Sequence, residues 1–239
     1  MTGQKPIPVM EIFGPTIQGE GMVIGRKTMF VRTGGCDYRC RWCDSAFTWD
    51  GTGKSKPMVA EDIISKLDTL AAGRFDHVTL SGGNPALHAG IGDLIHKLHA
   101  KNIQAAVETQ GTIWQDWLTH VDDVTISPKP PSSGMETDWK KLDTFMTKLS
   151  PQKTSLKVVI FNEEDYAFAK LVHMRYPHIS FFLQVGNDDI HTTDDTTLLT
   201  QLRYHYEQLI EKVMLDSTLT NVRVLPQLHT WMWGNKRGV

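Results

Sequence analysis

The chain has 239 residues, enough for one large domain or two small ones and for a core that buries roughly 70–75% of the unfolded surface. Apolar residues make up 40% and charged residues 22%, which excludes a disordered tail protein. Lys plus Arg number 25 against 27 Asp plus Glu, a formal net charge of -2, which argues against a phosphate-driven nucleic-acid binder.

In chain order, the opening MTGQKPIPVMEIFGPTIQGEG has no apolar run of secretory length, and no later run approaches the ~18 residues of a membrane span. No nucleic-acid or membrane partner is therefore expected, and a reducing cytoplasm is the expected location. Lys27–Arg32 reads as a strand, followed by His77–Leu80, Ile103–Val107, Val121–Ile126, Leu156–Phe161, Ser180–Gln184 and Val222–Leu225. Each is rich in β-branched or aromatic residues and bounded by turn residues. Amphipathic stretches lie between them. Val59–Ala72 places Ile63, Ile64, Leu67 and Leu70 on one helical face, and Asp93–Lys101, Trp114–His120, Trp139–Leu149, Glu163–Tyr176 and Thr196–Met214 read similarly. Such alternation predicts parallel strands with right-handed crossovers. About seven strands in a chain short for a closed barrel predict an incomplete, open α/β barrel, residues 1–239 forming one domain. Chemistry is then expected on the loops at the strand C-termini.

The cysteines are Cys36, Cys40 and Cys43, spaced C-x₃-C-x₂-C. An odd, clustered set is a poor disulfide framework and a good metal or cluster site. Three thiolates on one loop suit three corners of an iron–sulfur cube, which usually takes four cysteines. With no fourth cysteine, one iron is left open to a small molecule. A zinc site completed by a distant histidine or water, and three ordinary buried thiols, are the alternatives; zinc usually takes four ligands in two pairs, and no His lies in this loop.

This spacing, with Trp42 ahead of the third cysteine, resembles the signature of the radical S-adenosylmethionine (SAM) enzymes. The resemblance implies a partial TIM-like parallel β/α barrel and a 4Fe–4S cluster on Cys36, Cys40 and Cys43. It implies that SAM chelates the open iron and is cleaved reductively to a 5′-deoxyadenosyl radical, the electron coming from a flavodoxin- or ferredoxin-type donor. Ser81-Gly82-Gly83-Asn84-Pro85 stands where the family usually has G-G-E-P, a loop that meets the SAM amino group through its backbone; Asn84 replaces the Glu. Gly83, Ser127, Pro128, Lys129 and Gln184 are the further SAM candidates, with Trp42 and Asp44 along the same face. Read without the resemblance, the Gly loop is a tight turn and Ser127-Pro128-Lys129 a Pro-stiffened one. Lys157, inside an apolar strand, is costly if unpaired; an edge position and an inward functional position are both open.

Taken in order, Ile17-Gln18-Gly19-Glu20-Gly21, Arg32, the cysteine loop with Asp44 and Ser45, Glu108-Thr109-Gln110-Gly111, Ser127-Pro128-Lys129-Pro130 and Gln227-Leu228-His229 resemble the 7-carboxy-7-deazaguanine synthase family, in its Bacillus-type form. That resemblance implies conversion of 6-carboxy-5,6,7,8-tetrahydropterin to 7-carboxy-7-deazaguanine and ammonia, with SAM regenerated, Mg²⁺ on the substrate carboxylate, and a homodimer. Radical chemistry carried by SAM leaves no protein side chain as the catalytic group. Arg32 is the carboxylate candidate, since a guanidinium offers a planar fork. The pterin edge suits Gln18, Glu20, Glu108 and His229, with Ile17, Gly19 and Ser81 lining the same site. Ser45 matches the family's hydroxyl ligand to Mg²⁺, an ion that prefers oxygen and keeps waters. The tail Trp231–Val239 is aromatic and then basic, in a region that approaches substrate in the family. A protein-activating radical SAM enzyme, or a metal-stabilised binding module, is the alternative reading. His77, His96, His99 and His173 are read as surface or core positions.

Overall fold

The computed structural model describes residues 5–239; the first four residues of the N-terminal stretch, and of the single expected domain, lie outside the described residues. The first strand, β1 (Ile7–Ile17), is one the sequence patterning does not announce. Its run is broken by Gly14-Pro15, and proline has no N–H for a ladder. The structure accommodates the break with a register shift between Phe13 and Thr16 against β2 (Lys27–Thr33). Only residues 7–9 of β1 also pair on the other side, with the short β3 (Lys56–Met58), so Pro15 interrupts no second ladder. Both of these pairings are antiparallel.

The remaining strands are β4 (His77–Gly82), β5 (Gln104–Thr109), β6 (Asp123–Ile126), β7 (Thr154–Ile160), β8 (Ser180–Val185) and β9 (Val222–Leu225). Together with β2 they are the seven expected from sequence, and each pairs parallel with the next. Among the described residues the sheet has nine strands in the order β3-β1-β2-β4-β5-β6-β7-β8-β9. β3 and β9 are edges, so the barrel is open, as predicted.

Helices α1 (Ala60–Ala71), α2 (Ile91–Ala100), α3 (Trp139–Lys148), α4 (Glu163–Arg175), α5 (Asp195–Met214) and the short α6 (Leu228–Trp233) fill the crossovers and the C-terminal end. In α1 the buried side chains are Ala60, Ile63, Leu67 and Ala71, the face that its spacing predicts, with Ile64 and Leu70 flanking the core. The starts of α3, α4 and α5 are capped by Asp138, Asn162 and Asp194, whose side chains accept from backbone N–H groups of the first turn. The expected helix at Trp114–His120 is instead a five-residue 3₁₀ turn, Asp116–His120. Gln115 is extended and its side chain donates to Ala86 O at 2.9 Å, so the helical run starts only at Asp116.

Alternation along the strands separates two environments. Val78, Leu80, Val107, Ile126, Leu156, Val158 and Leu183 join the helix-facing core. The intervening residues are largely polar and buried: Thr79, Thr125, Ser155, Lys157 and Gln184. Thr28 and Thr79 share a hydrogen bond of 3.0 Å, and Ser155 donates to Thr125 at 3.2 Å. His77 is fully buried against Thr28, and burial pulls its pKa down to about 4; His173 stacks on Phe181 and His99 meets Asp122 at 2.8 Å, so these positions are structural. The inner wall is therefore polar, and a 3₁₀ turn at Gly21–Val23 following β1 packs against β6, β7 and β8 inside it.

The outer core sets stability. Phe145 is 1% exposed and packs edge-on against Trp114 with ring centroids 5.2 Å apart. Phe145→Ala is expected to cost about 3–5 kcal/mol, measured as a lower denaturant midpoint at unchanged slope.

Candidate active site

Loops leaving the C-terminal ends of the parallel strands close around a cavity of about 230 Å³. After β2 the cysteine loop is tied down by backbone bonds from Gly35 to Thr48 and from Arg41 to Ser133, 2.7 and 3.0 Å. The indole of Trp42 donates to Ser132 at 2.9 Å and stacks near Phe161. The loop after β4 lies directly on this segment: a Cβ at Gly83 would stand 1.9 Å from the Gly35 carbonyl oxygen, so no larger residue fits there.

All three cysteines line the cavity. Tyr38 N and Gln110 Nε2 each donate to the Cys36 sulfur at 3.4 Å, and Trp49 Nε1 donates to the Cys43 sulfur at 3.4 Å. Burial pushes the Cys40 thiol up to about 11, with Lys129 pulling the other way, and burial also raises Cys43. Half-buried sulfurs that receive N–H donors, as at Cys36 and Cys43, suit metal-bound thiolates, which accept such bonds. Two sulfurs at about 2.3 Å from a single zinc are at most about 4.6 Å apart. Among the described residues the one trio of ligand atoms lying within 4.8 Å of one another is Glu20, Asp44 and His229, so the sulfurs are spread more widely than a lone ion requires. The donor set fits three corners of a cluster.

The opposite wall is built around Lys157, which is 4% exposed and carried on the inner face of β7. Its ammonium contacts the Glu20 carboxylate and lies 3.5 Å from Glu108. Gln18 donates to Glu108 at 3.1 Å and accepts from Glu20 N at 3.0 Å; Gln227 donates to Glu20 at 3.0 Å. Burial alone raises the Glu20 carboxyl, but the Lys157 ammonium, with His229 and Gln227, more than reverses this and holds it well below the carboxylate range. Burial alone lowers Lys157; Glu108 and Glu20 outweigh it and hold the ammonium above its ordinary value. His229 packs directly on Gly19, where a Cβ would be 2.4 Å from its Nδ1, and Leu228 N donates to Gly19 O at 3.1 Å. Arg32 lines the same cavity, pairs with Glu11 at 3.0 Å and rests on the rings of Phe13 and Phe47. Its buried Nε has no partner, leaving a donor for a ligand.

Of the residues singled out from sequence, Ile17, Gln18, Gly19, Glu20, Arg32, Trp42, Asp44, Ser45, Ser81, Gly83, Glu108, Ser127, Lys129 and His229 join the cysteines in lining this one cavity. Pro128 and Gln184 do not. Pro128 stiffens the loop, in which Lys129 donates to Ser127 at 3.0 Å. Gln184 pairs in register with the cavity-lining Val159 but is fully buried, its amide without a partner. Ser45 precedes a 3₁₀ turn without capping it through its side chain. Lys157 proves inward and paired; Gln110 and Gln227, which stand in the resembling motifs without an assigned role, and Trp49 and Lys236 also line the cavity. The signal for Lys157 was its place in an apolar strand; the others lie on loops without periodicity.

A sequence profile of the radical SAM superfamily matches residues 30–127. The chain is 61% identical to the 7-carboxy-7-deazaguanine synthase of Bacillus subtilis over 241 residues, covering 98% of this chain and 99% of that protein. It is 55% identical to the enzyme of the same name from Bacillus cereus, with coverage of 98% and 99%. The chain belongs to the 7-carboxy-7-deazaguanine synthase family. The crystal structure of QueE from Escherichia coli has the same fold, with a TM-score of 0.65 over 94% of this chain and 95% of that one, at 23% identity. The open barrel and its cysteine loop are thus the radical SAM architecture. Among the described residues no helix is long and apolar enough to cross a membrane.

Lys157→Met leaves Glu20 buried without its cation, which is expected to cost about 3–5 kcal/mol at pH 8. The pairing depresses the Glu20 pKa, so its stabilisation is present above the unfolded value of ~4.3 and is lost as pH falls through the folded one. In the variant the carboxyl gains a proton sooner, so the deficit is expected to shrink as pH falls from 8 towards 4 in denaturant melts. A deficit independent of pH would show that ionisation of Glu20 is not what Lys157 supports.

Proposed function

We propose that this chain converts 6-carboxy-5,6,7,8-tetrahydropterin to 7-carboxy-7-deazaguanine and ammonia, residues 1–239 acting as one radical SAM domain. The observation that carries the reading is that the three cysteines and the Arg32, Glu20, Lys157 and Glu108 groups open on one cavity. Cys36, Cys40 and Cys43 hold the 4Fe–4S cluster, and the Gly83 backbone, Trp42, Asp44, Ser127 and Lys129 receive SAM. When bound, these groups supply the radical that takes hydrogen from the substrate. Pro128 shapes the SAM loop from outside the cavity, and Gln184 supports its floor.

The protein's own part is to bind and orient the substrate. Arg32 takes the carboxylate with its free Nε, held flat by Phe13 and Phe47. The carboxylates of Glu20 and Glu108 and the amide of Gln18 accept from and donate to the pterin edge, with His229, Ile17, Gly19 and Ser81 shaping the walls. Two carboxylates around one ammonium keep a net negative charge where the ligand presents N–H donors. Ser45 offers its hydroxyl to Mg²⁺, and substrate oxygens and water complete so sparse a site. A homodimer, an external flavodoxin- or ferredoxin-type electron donor and a cytoplasmic location complete the reading.

Anaerobic protein reconstituted with iron and sulfide, given SAM, Mg²⁺, a strong reductant and the carboxypterin, is expected to yield 7-carboxy-7-deazaguanine and ammonia by mass spectrometry without a matching loss of SAM. Deoxyadenosine without that product would overturn the substrate and retain the radical chemistry. Arg32→Ala is expected to weaken binding of the carboxypterin about tenfold to a hundredfold by equilibrium dialysis, since a charge-assisted contact is lost. Parent-like affinity would remove Arg32 from the carboxylate site.

A further inference from the structure

Asn84 is fully buried at the turn after β4 and is not part of the cavity wall. An amide can give two hydrogen bonds and accept two, and all four are made. Its oxygen accepts from Thr109 Oγ1 at 2.8 Å and from Ala86 N at 3.2 Å. Its nitrogen donates to Asp37 Oδ1 at 2.8 Å and to Thr112 Oγ1 at 3.2 Å. One side chain thereby joins the loops that follow β2, β4 and β5. Asp37 stands between the first two cysteines, and the same Oδ1 accepts from Gln110 Nε2 at 2.6 Å. That Gln110 nitrogen also lies 3.4 Å from the Cys36 sulfur. A continuous path of hydrogen bonds runs from Asn84 through Asp37 and Gln110 to a cysteine.

We propose that Asn84 is a positioning residue that, through Asp37 and Gln110, fixes the Cys36 corner of the cluster loop. The assignment rests on the reading of Cys36, Cys40 and Cys43 as cluster ligands. A carboxylate at position 84 has no proton to give Asp37 or Thr112, and would oppose the Asp37 carboxylate at contact distance. The amide and the acid are therefore a matched pair: Asn84 in place of the Glu of the G-G-E-P pattern is what permits Asp37 in the cysteine loop. Asp37 in turn holds a negative charge one bridging amide, Gln110, away from the sulfur, which disfavours adding an electron to a cluster there.

The test is a cycle of Asn84→Asp, Asp37→Asn and the double variant, in cluster-loaded full-length protein. Iron per chain, SAM dissociation constant and cluster midpoint potential are read for each. Asn84→Asp is expected to bind SAM about tenfold more weakly than the parent, as lost hydrogen bonds to a charged group imply. The double variant, in which acid and amide exchange places, is expected to return within about threefold of the parent. Should Asn84→Asp fail to fold or load iron, Asn84→Ala, which adds no charge, takes its place and is expected to weaken SAM binding likewise, unchanged SAM affinity overturning the proposal; Asp37→Asn reads the charge separately. It keeps the oxygen that accepts from Asn84, so it is expected to load iron fully and to show a raised midpoint potential because a negative charge has gone. Unchanged SAM affinity in Asn84→Asp, a double variant no better than the single, or an unchanged potential in Asp37→Asn overturns the proposal. A parent that loads no four-iron cluster overturns the cluster reading itself, and this assignment with it.

Discussion

An ammonium inside a β-barrel costs several kcal/mol to desolvate unless opposite charge surrounds it. Lys157 is such a group, and its partners come from every part of the chain. Glu20 arrives from the segment after β1, Glu108 from the end of β5, and Gln227, which steadies Glu20, from just before α6. Removing any one partner leaves a buried charge or an unpaired amide. One lysine on β7 thereby ties the segment after β1 and the chain after β9 to the same point. This explains how β1, antiparallel and outside the parallel block, comes to deliver Gln18, Gly19 and Glu20 into the barrel mouth. Gly19 completes the arrangement, because any side chain there would collide with His229.

The cysteine wall is organised by a different device, hydrogen bonds between neighbouring loops rather than ion pairs. Trp42 to Ser132, Gln110 to Cys36 and Asn84 to Asp37 join the loop after β2 to those after β4, β5 and β6. Arg41 N adds a backbone bond to Ser133. These contacts are short and directional and leave the sulfurs on the cavity side. Between the two walls stands Arg32, bracketed by Glu11 and two aromatic rings. Phe47 also carries the guanidinium of Arg237, which lies 3.5 Å from Glu11, so the basic tail packs over the same loop. Lys236, Gly238 and Val239 thereby reach the cavity wall.

The parallel strands, the open barrel and the cysteine loop were legible because each rests on a local signal: β-branched runs, strand–helix alternation and the spacing of Cys36, Cys40 and Cys43. β1 is hidden because Gly14-Pro15 interrupts its pattern, and its pairings with β2 and β3 make it a strand. The amphipathic spacing of Trp114–His120 reads as a helix, but Gln115 is extended and bonded through its side chain to Ala86 O, which leaves only the 3₁₀ turn at Asp116–His120. Gln184 shows the opposite failure. It lies on the inner face, as strand period requires, and level with the cavity-lining Val159, yet it is fully buried and takes no part in the cavity wall. Lys157 was visible as an anomaly, but its role depends on Glu20 and Glu108, which are 137 and 49 positions away.

Arg32 and the Lys157 cluster impose different charges on one small space, and this limits what fits. Arg32 offers a fixed cation with a spare donor, whereas Lys157 cannot serve as a second cation because two carboxylates already enclose it. A ligand filling the cavity must therefore be anionic at one end and rich in N–H donors at the other. A 2-amino-4-oxopyrimidine ring bearing a carboxylate has that polarity; a purely anionic phosphate ester or an uncharged apolar substrate does not. The pocket would repel the former from Glu20 and Glu108 and leave the latter facing unpaired charge, a penalty larger than the apolar contact of Phe13 or Phe30 returns. Selectivity in this reading comes from charges held in place by the protein's own ion pairs, Lys157 with Glu20 and Glu108 and Arg32 with Glu11.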